Sequence, residues 1–367
     1  MIVGVPRESQ PGERRVGLSP TGVAELSEQG ARVVVECGAG AGAHFSDKDY
    51  QEAGGQIVLS HDEAFQRADV VCKVARVTGD DAALLREGQV VTGFQHLITA
   101  PQSLLQTLVT KRVTAISYEQ IEEPDGGHPV LGPTSQIAGK MVPQLAGRLL
   151  QRGRGTLLGG IPGIPPADVV ILGAGTLGYY AARSLRGAGA TVYIMEKGRR
   201  LEELDRLFGG SVVTALATRA NIEKFVRFAD VLVGAVLAPT GLAPVLVTRE
   251  MVRSMEPGAV VMDFSIDTGG CIETSRLTPS EEYVYLEEGV WHFCMPNVSS
   301  LVARTASHAL TNAALPYLRA LTERGLVESL RTMPDLAKGV SVYAGKVTQE
   351  YLAREQVLEY SPLERLL

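Results

Sequence analysis

Short runs of β-branched and apolar residues recur along the first 120 residues, separated by amphipathic stretches with helical spacing. Six of these runs, at 2–5, 32–36, 56–59, 70–74, 90–94 and 114–118, predict strands. Between the first two, residues 20–29 predict a helix: Ser19 is placed to cap its first amides, Pro20 suits the opening position and Gly30 stops it. Strand and helix in alternation build a parallel sheet with helices on its faces.

A second series follows the turn-forming stretch 124–129, Pro-Asp-Gly-Gly-His-Pro. A linking helix is predicted over 135–151, then a Gly and Pro-rich hinge or crossover at 153–166, then strands at 168–172, 191–195, 231–235 and 259–264. From Ala303 onward the spacing turns helical, through 310–325 and again through 340–353, with no strand partner, so these helices are expected to pack on the first domain. The fold class expected is α/β, with two doubly wound Rossmann-like domains separated by a cleft. The nucleotide-binding domain, 129–302, is inserted in a substrate domain made of 1–128 and 303–367.

Composition narrows the function. Hydrophobic residues make up 45% and charged residues 21% of the 367, which excludes global disorder. A net charge of −6 gives no general attraction for nucleic acid or acidic lipid. Cys37, Cys72, Cys271 and Cys294 lie far apart with no paired spacing, and the first residues lack a signal-peptide pattern, so a reduced, cytoplasmic protein is expected. Residues 157–182 hold one charge, Asp168, but Pro162, Pro165, Pro166 and six glycines forbid a spanning helix there.

After the strand at 168–172 comes Gly173-Ala174-Gly175-Thr176-Leu177-Gly178, then a helical stretch, then a strand ending at Glu196. The glycines supply a tight turn, close approach of backbone to a pyrophosphate and close helix packing; the helix amino terminus favours the negative charge. Glu196 can accept hydrogen bonds from both hydroxyls of the adenosine ribose, and a 2′-phosphate about 4 Å away would cost roughly 1 to 4 kcal/mol per unit charge. NAD is therefore the expected cofactor, although Lys197, Arg199 and Arg200 are near enough in sequence to oppose that preference. Gly38, Gly40 and Ala43 satisfy the same glycine spacing, but no helical pattern opens there, and a tight turn is expected instead.

Ligands of open α/β sheets bind beyond the carboxyl ends of strands. Arg15, Lys73, His96 and Asp267 all follow or end predicted strands, giving two cations, an imidazole and a carboxylate suited to a small acid with a reactive carbon. His44, His61, His128, His292 and His308 are expected to be structural, and His292 with Cys294 lacks two further ligands for zinc.

The chain resembles the alanine dehydrogenase family, which shares its fold with the nucleotide-binding subunit of proton-pumping transhydrogenase. The likeness is carried by MIVGVPRES, ERRVGLSPTGVAEL, the Lys73 strand, FQHL around His96, SYE at 117–119, GGIPGIPPADVVILGAGTLG, MDFSIDTGG around Asp267 and SHALTNAALPYL. It implies reversible oxidative deamination of L-alanine to pyruvate and ammonia, with hydride passing to NAD. In that scheme Arg15 grips the substrate carboxylate, Lys73 contacts the carboxylate or oxo group, His96 moves protons, and Asp267 binds the amine or activates water. Ser135 and Asn297 join Gly173, Gly175, Thr176, Leu177, Gly178 and Glu196 as cofactor contacts. The resemblance also implies a homo-hexamer acting on small molecules without nucleic-acid or membrane partners.

Three segments depart from the family pattern: Val74-Ala75-Arg76-Val77 where KVKEP follows the usual order, Thr134-Ser135-Gln136 where Met-Ser-Glu is common, and CMPNVSSLVART in place of NMPASVPKT. They leave open a different 2-oxo acid, a transhydrogenase-like role or a non-catalytic NAD-binding regulator.

Overall fold

The computed structural model describes residues 1–367 except 238–240, 279, 281 and 283. The chain divides into two compact units, Met1–Thr134 with Ser299–Leu367, and Ser135–Val298.

In the first unit the strands lie in the order Lys346–Val347, Val340–Tyr343, Thr114–Ser117, Val90–Phe94, Val70–Ala75, Ile2–Val5, Arg32–Glu36 and Gln56–Val58. The last six named pair in parallel. Sequence order reverses beside Ile2–Val5, which pairs with Val70–Ala75 only through Val3 with Val70 and Gly4 with Val71. Beyond that short register the carboxyl ends of the two strands part, which is where such sheets bind ligands. Both faces are covered: Val3, Val5, Val33, Val35 and Cys72 pack with Leu310, Leu318 and Leu321 of the helix Ala303–Arg324, while Val71 and Val91 pack with Leu104, Leu105 and Leu108. Each such side chain contributes about 1.5 to 3 kcal/mol by leaving water.

Two expectations are corrected here. Residues 340–353 are helical only at their end, in Glu350–Glu355; the strands before it are paired. Val340–Tyr343 pairs antiparallel with Thr114–Ser117, then turns through Ala344 and Gly345 into Lys346–Val347. Buried Val340 and Val342 favour extended backbone, and positive φ at Ala344 and Gly345, 45° and 81°, makes the two-residue hairpin turn. Ser19 does not cap the helix Pro20–Glu28 with its side chain; its backbone amide donates to Thr311 Oγ1, and Pro20 alone marks the start.

The second unit orders its strands Tyr285–Glu287, Val290–Phe293, Val260–Asp263, Val231–Gly234, Asp168–Leu172, Thr191–Glu196 and Val213–Leu216. All neighbours are parallel except Tyr285–Glu287 with Val290–Phe293. Order reverses at Asp168–Leu172, so its carboxyl end is the second switch point. Val213–Leu216, Tyr285–Glu287 and Val290–Phe293 are absent from the predicted strands; the first two are edge strands, half-exposed and without a strong apolar run. The linking helix spans Leu131–Arg152, beginning before residue 135 because Pro133 is tolerated in a first turn. Residues 153–166 form turns closed by an Ile161 to Ile164 bridge, and no described helix is long and apolar enough to cross a membrane.

Candidate active site

In the second unit, the strand Asp168–Leu172 ends at Gly173, whose φ is 92° and whose place a Cβ would fill against Ala235 O at 2.5 Å. A Cβ on Gly178 would overlap the Gly173 carbonyl, so the helix Thr176–Gly187 can begin this close to the strand only on glycine. At Gly175, by contrast, a Cβ would meet nothing within 4 Å. That open side of the turn, at the start of a 12-residue helix whose first amides lack intrahelical acceptors, fits a pyrophosphate.

Glu196, ending the neighbouring strand, accepts from the Ala174 amide at 2.6 Å and the Lys197 amide at 2.7 Å. Arg200 Nε donates to the Ala174 carbonyl at 2.7 Å, so an acid and a base meet the same turn residue. The linking helix approaches here too: a Cβ on Gly139 would lie 2.5 Å from Leu177 O. Ser135 stands one turn before Gly139 on the same helix face. Asn297, with φ 53°, lies just past the carboxyl end of Val290–Phe293. Thr176 and Leu177 open the nucleotide helix. The turn, the helix start and the neighbouring acid leave donors and room that fit a pyridine dinucleotide.

Asp267 sits in the short helix Ile266–Thr268 beyond the strand Val260–Asp263. Its loop is pinned by Asp263, a residue that sequence reasoning missed. The buried Asp263 carboxylate accepts from the amides of Ser265 and Cys271 at 2.9 Å and of Ile272 at 3.2 Å. Burial pushes its pKa up while these bonds pull it down. Gly269 and Gly270 supply the left-handed backbone, φ 100° and 85°, that returns the loop to the same carboxylate.

In the first unit, Arg15, Lys73 and His96 gather around the parted strand ends. Arg15 is 2% exposed, with Nε and Nη2 forked on Glu13 at 2.8 and 2.6 Å and Nη1 on Ser299 Oγ at 3.0 Å. Its guanidinium lies 6.0 Å from the Phe94 ring, and that ring stacks on His96 at 6.3 Å. His96 has left-handed backbone, φ 40° and ψ 48°, which turns the chain out of the strand Val90–Phe94. Two anchors hold it there: Glu119 Oε1 accepts its amide at 2.7 Å, and Arg76 donates to its carbonyl at 3.0 Å. Arg76, which holds the His96 carbonyl, belongs to a segment that departs from the family pattern.

Lys73 lies at 0% exposure in the strand Val70–Ala75. Glu8 holds the strand end by accepting from the amides of Val74 and Ala75 at 2.6 and 3.3 Å, and lies 3.3 Å from the Lys73 ammonium. Burial works against the charged form of Lys73, but Glu8 and Asp81 outweigh it and raise the pKa, so the side chain remains a cation. Glu8 was not singled out in the sequence because an ion pair between distant segments leaves no local spacing to read; Glu13, two residues from Arg15, and Asp81, eight from Lys73, stand in no motif that marks them as partners.

Of the remaining histidines, four have contacts elsewhere in the fold, and the buried Nδ1 of His128 has no hydrogen-bond partner among the described residues. His292 bonds Thr274 Oγ1 at 2.7 Å and the Val290 carbonyl at 3.0 Å, and burial lowers its pKa. His308 meets Phe45 edge-on, the His44 carbonyl accepts from Arg304, and His61 bridges two carboxylates. The Gly38, Gly40 and Ala43 spacing leads into a three-residue 3-10 turn, Ala41–Ala43.

Two family profiles match the chain: "Alanine dehydrogenase/PNT, N-terminal domain" over residues 4–138 and "Alanine dehydrogenase/PNT, C-terminal domain" over 142–350. It is 41% identical over 372 residues to the alanine dehydrogenase of Methanococcus maripaludis, covering 100% of both chains. It is 39% identical over 359 residues to that of Mycobacterium tuberculosis, covering 97% of this chain and 96% of the relative. Among solved structures, an L-alanine dehydrogenase matches with a TM-score of 0.89 at 40% identity, covering 97% of this chain and 99% of the other. A transhydrogenase from Sinorhizobium meliloti matches with 0.78 at 26% identity, covering 95% and 99%. Taken with the glycine cradle and the cluster around Lys73, these matches show that the chain belongs to the alanine dehydrogenase/PNT family.

Proposed function

We propose that this protein is an alanine dehydrogenase that interconverts L-alanine with pyruvate and ammonia, using NAD. The observation that carries the reading is the meeting of two buried cations and an imidazole, Arg15, Lys73 and His96, at the switch point of one sheet. The relatives named above are alanine dehydrogenases over their full length.

Each residue then has a task. Arg15 brings its guanidinium charge to the substrate carboxylate, with Glu13 holding its Nε and Nη2 edge and so fixing its plane. Lys73 supplies a point charge to the carboxylate or the oxo group and polarises the reacting carbon. His96 takes a proton from the water that adds to that carbon and returns one to the departing amine. Its ring stacks on Phe94 and its backbone is fixed at both ends, so the imidazole is oriented before substrate arrives. Asp267 binds the amine or activates the water. The dinucleotide, when bound, accepts the two electrons and the hydrogen lost from the alanine carbon. Gly173, Gly175, Thr176, Leu177 and Gly178 cradle its pyrophosphate, Glu196 takes its adenosine ribose, and Ser135 and Asn297 border its nicotinamide.

NAD is preferred to NADP on this reading because Glu196 opposes a 2′-phosphate, with Arg200 tied to the Ala174 carbonyl. The four unpaired cysteines suit a reducing cytoplasm, and the active form is a homo-hexamer, to be measured by light scattering. The likeness to a transhydrogenase favours one second reading, hydride passage between two nucleotides. Such a reaction has no use for the Arg15, Lys73 and His96 set.

The test follows NADH loss by absorbance with ammonia and a panel of 2-oxo acids. Turnover of pyruvate is expected. Turnover of a bulkier acid alone would move the specificity to the altered segments around Arg76 and Asn297, and silence with every acid would leave a binding protein.

A further inference from the structure

The Lys73 ammonium lies 3.0 Å from Asp81 Oδ2, 3.3 Å from Glu8 Oε2 and 3.3 Å from Ser9 Oγ, three partners for its three donors. Ser9 in turn donates to Asp81 Oδ2 at 2.7 Å. From Asp81 the charges continue outward: its Oδ1 lies 2.9 Å from His61 Nε2, and His61 Nδ1 lies 2.7 Å from Glu36 Oε2. Glu36 Oε1 meets Arg7 Nε at 2.8 Å. Asp81 is 1% exposed and His61 28%, so His61 is the first member beyond Lys73 that exchanges protons with solvent.

Both His61 nitrogens face carboxylate oxygens, an arrangement satisfied in full only by the doubly protonated ring. Its hydrogen bonds to Asp81 and Glu36, outweighing burial, raise its pKa to about 9. The charges that face it are Asp81 from the helix Gly79–Leu84 and Glu36 from the strand Arg32–Glu36, with Asp62 and Glu63 on its own helix. Behind these stand Arg7, paired with Glu36, and Lys73, paired with Asp81 and Glu8. Around Lys73 and Arg15 stand three carboxyl groups, Glu8, Glu13 and Asp81; burial raises the pKa of Glu8, with the Lys73 ammonium opposing it, whereas the pKa of Asp81 is lowered despite burial, by its bond to His61 and the Lys73 charge. A proton on His61 offsets the Asp81 charge, since Glu36 and Arg7 offset each other.

We propose that Asp81 and His61 are a positioning pair for Lys73: Asp81 fixes the ammonium, and the His61 proton offsets the Asp81 charge so that Lys73 keeps its pull on a substrate carboxylate. The inference rests on the reading above that Lys73 meets the substrate. Without the His61 proton, an arriving carboxylate meets an Asp81 charge that Lys73 alone offsets.

The test is the KM for pyruvate at saturating NADH and ammonia, measured on the full chain from neutral pH to about pH 10; ammonia's own titration is common to every variant. In the wild-type protein KM rises with an inflection near the His61 value of about 9. His61→Gln is expected to raise KM about tenfold at neutral pH and to remove that inflection, with kcat and NADH affinity little changed. His61→Arg, which keeps the positive charge at all these pH values, is expected to restore a low KM without the inflection. A His61→Gln protein with wild-type KM and wild-type alkaline behaviour overturns the proposal. Should that variant not fold, a wild-type profile in Asp81→Asn overturns it equally. Lys73→Ala separates the two failures. If it raises KM while His61→Gln does not, the positioning pair alone is wrong; if it leaves KM unchanged, or if wild-type protein does not turn over pyruvate, the underlying reading falls and the pair with it.

Discussion

At the scale of single residues, the proposed chemistry concentrates on His96, whose ring the backbone presents from a left-handed position beside Phe94. His96→Ala is expected to lower kcat at least about 100-fold while the Kd for NAD changes little, because proton transfer is lost and the cradle is untouched. A near-normal rate would remove His96 from its role. His61 gives a stability prediction of definite sign. Its folded pKa, about 9, lies above the ordinary histidine value, so its contribution is complete below about pH 6.5 and disappears as pH rises through about 9. Its partial exposure limits the effect to ~1–2 kcal/mol. Asp81 acts oppositely: its pKa is depressed, and its contribution is lost only below the ordinary carboxylate range. Urea unfolding of wild type and His61→Gln should therefore differ at pH 6 and converge above the His61 pKa; a constant difference would contradict this. Arg15, Lys73, His96 and Asp267 stood out in the sequence as candidates because each follows or ends a predicted strand and sits in a phrase shared with the family. Their supports did not. Glu8, Glu13, Asp81 and Asp263 look like ordinary surface acids until folding buries them against the amides and cations they hold.

At the scale of elements, two loops set the geometry. The turn Gly173 to Gly178 closes only without side chains, so Gly178→Ala, which places a methyl against the Gly173 carbonyl, is expected to weaken NAD binding at least about tenfold. Titration by protein fluorescence measures it, and wild-type affinity would show that the turn relaxes freely. The Asp267 loop hangs from Asp263, and Asp263→Ala leaves three backbone amides without their acceptor. A loss of ~2–4 kcal/mol and a fall in kcat are expected together, read by calorimetry and steady-state rates. Most strands were visible as buried β-branched runs flanked by turn residues. The segment Val340–Tyr343 was not, since its strand identity comes from pairing with Thr114–Ser117, two hundred residues away in sequence on the order of magnitude set by a discontinuous unit. The edge strands Val213–Leu216 and Tyr285–Glu287 were hidden for another reason: half-exposed residues carry a weak pattern.

At the scale of the whole molecule, both sheets share a core of five strands in the order fifth, fourth, first, second, third, each with a switch point at its first strand, and differ in the strands added beyond the fifth. On the proposed reading, one switch point offers amides and an acid to a dinucleotide and the other offers cations and an imidazole to a small acid. Cofactor choice tests the first half of that division: Glu196→Ser is expected to narrow the ratio of kcat/KM between NAD and NADP by about tenfold or more, and an unchanged ratio would assign the discrimination elsewhere. The measurement that addresses the division as a whole is the fate of the hydrogen on the substrate carbon. With L-alanine deuterated at that carbon, NAD and the purified protein, the account predicts one deuterium recovered in the reduced cofactor, with pyruvate and ammonia formed in equal amounts. Reduced cofactor free of deuterium, or no pyruvate formed beside it, would contradict it.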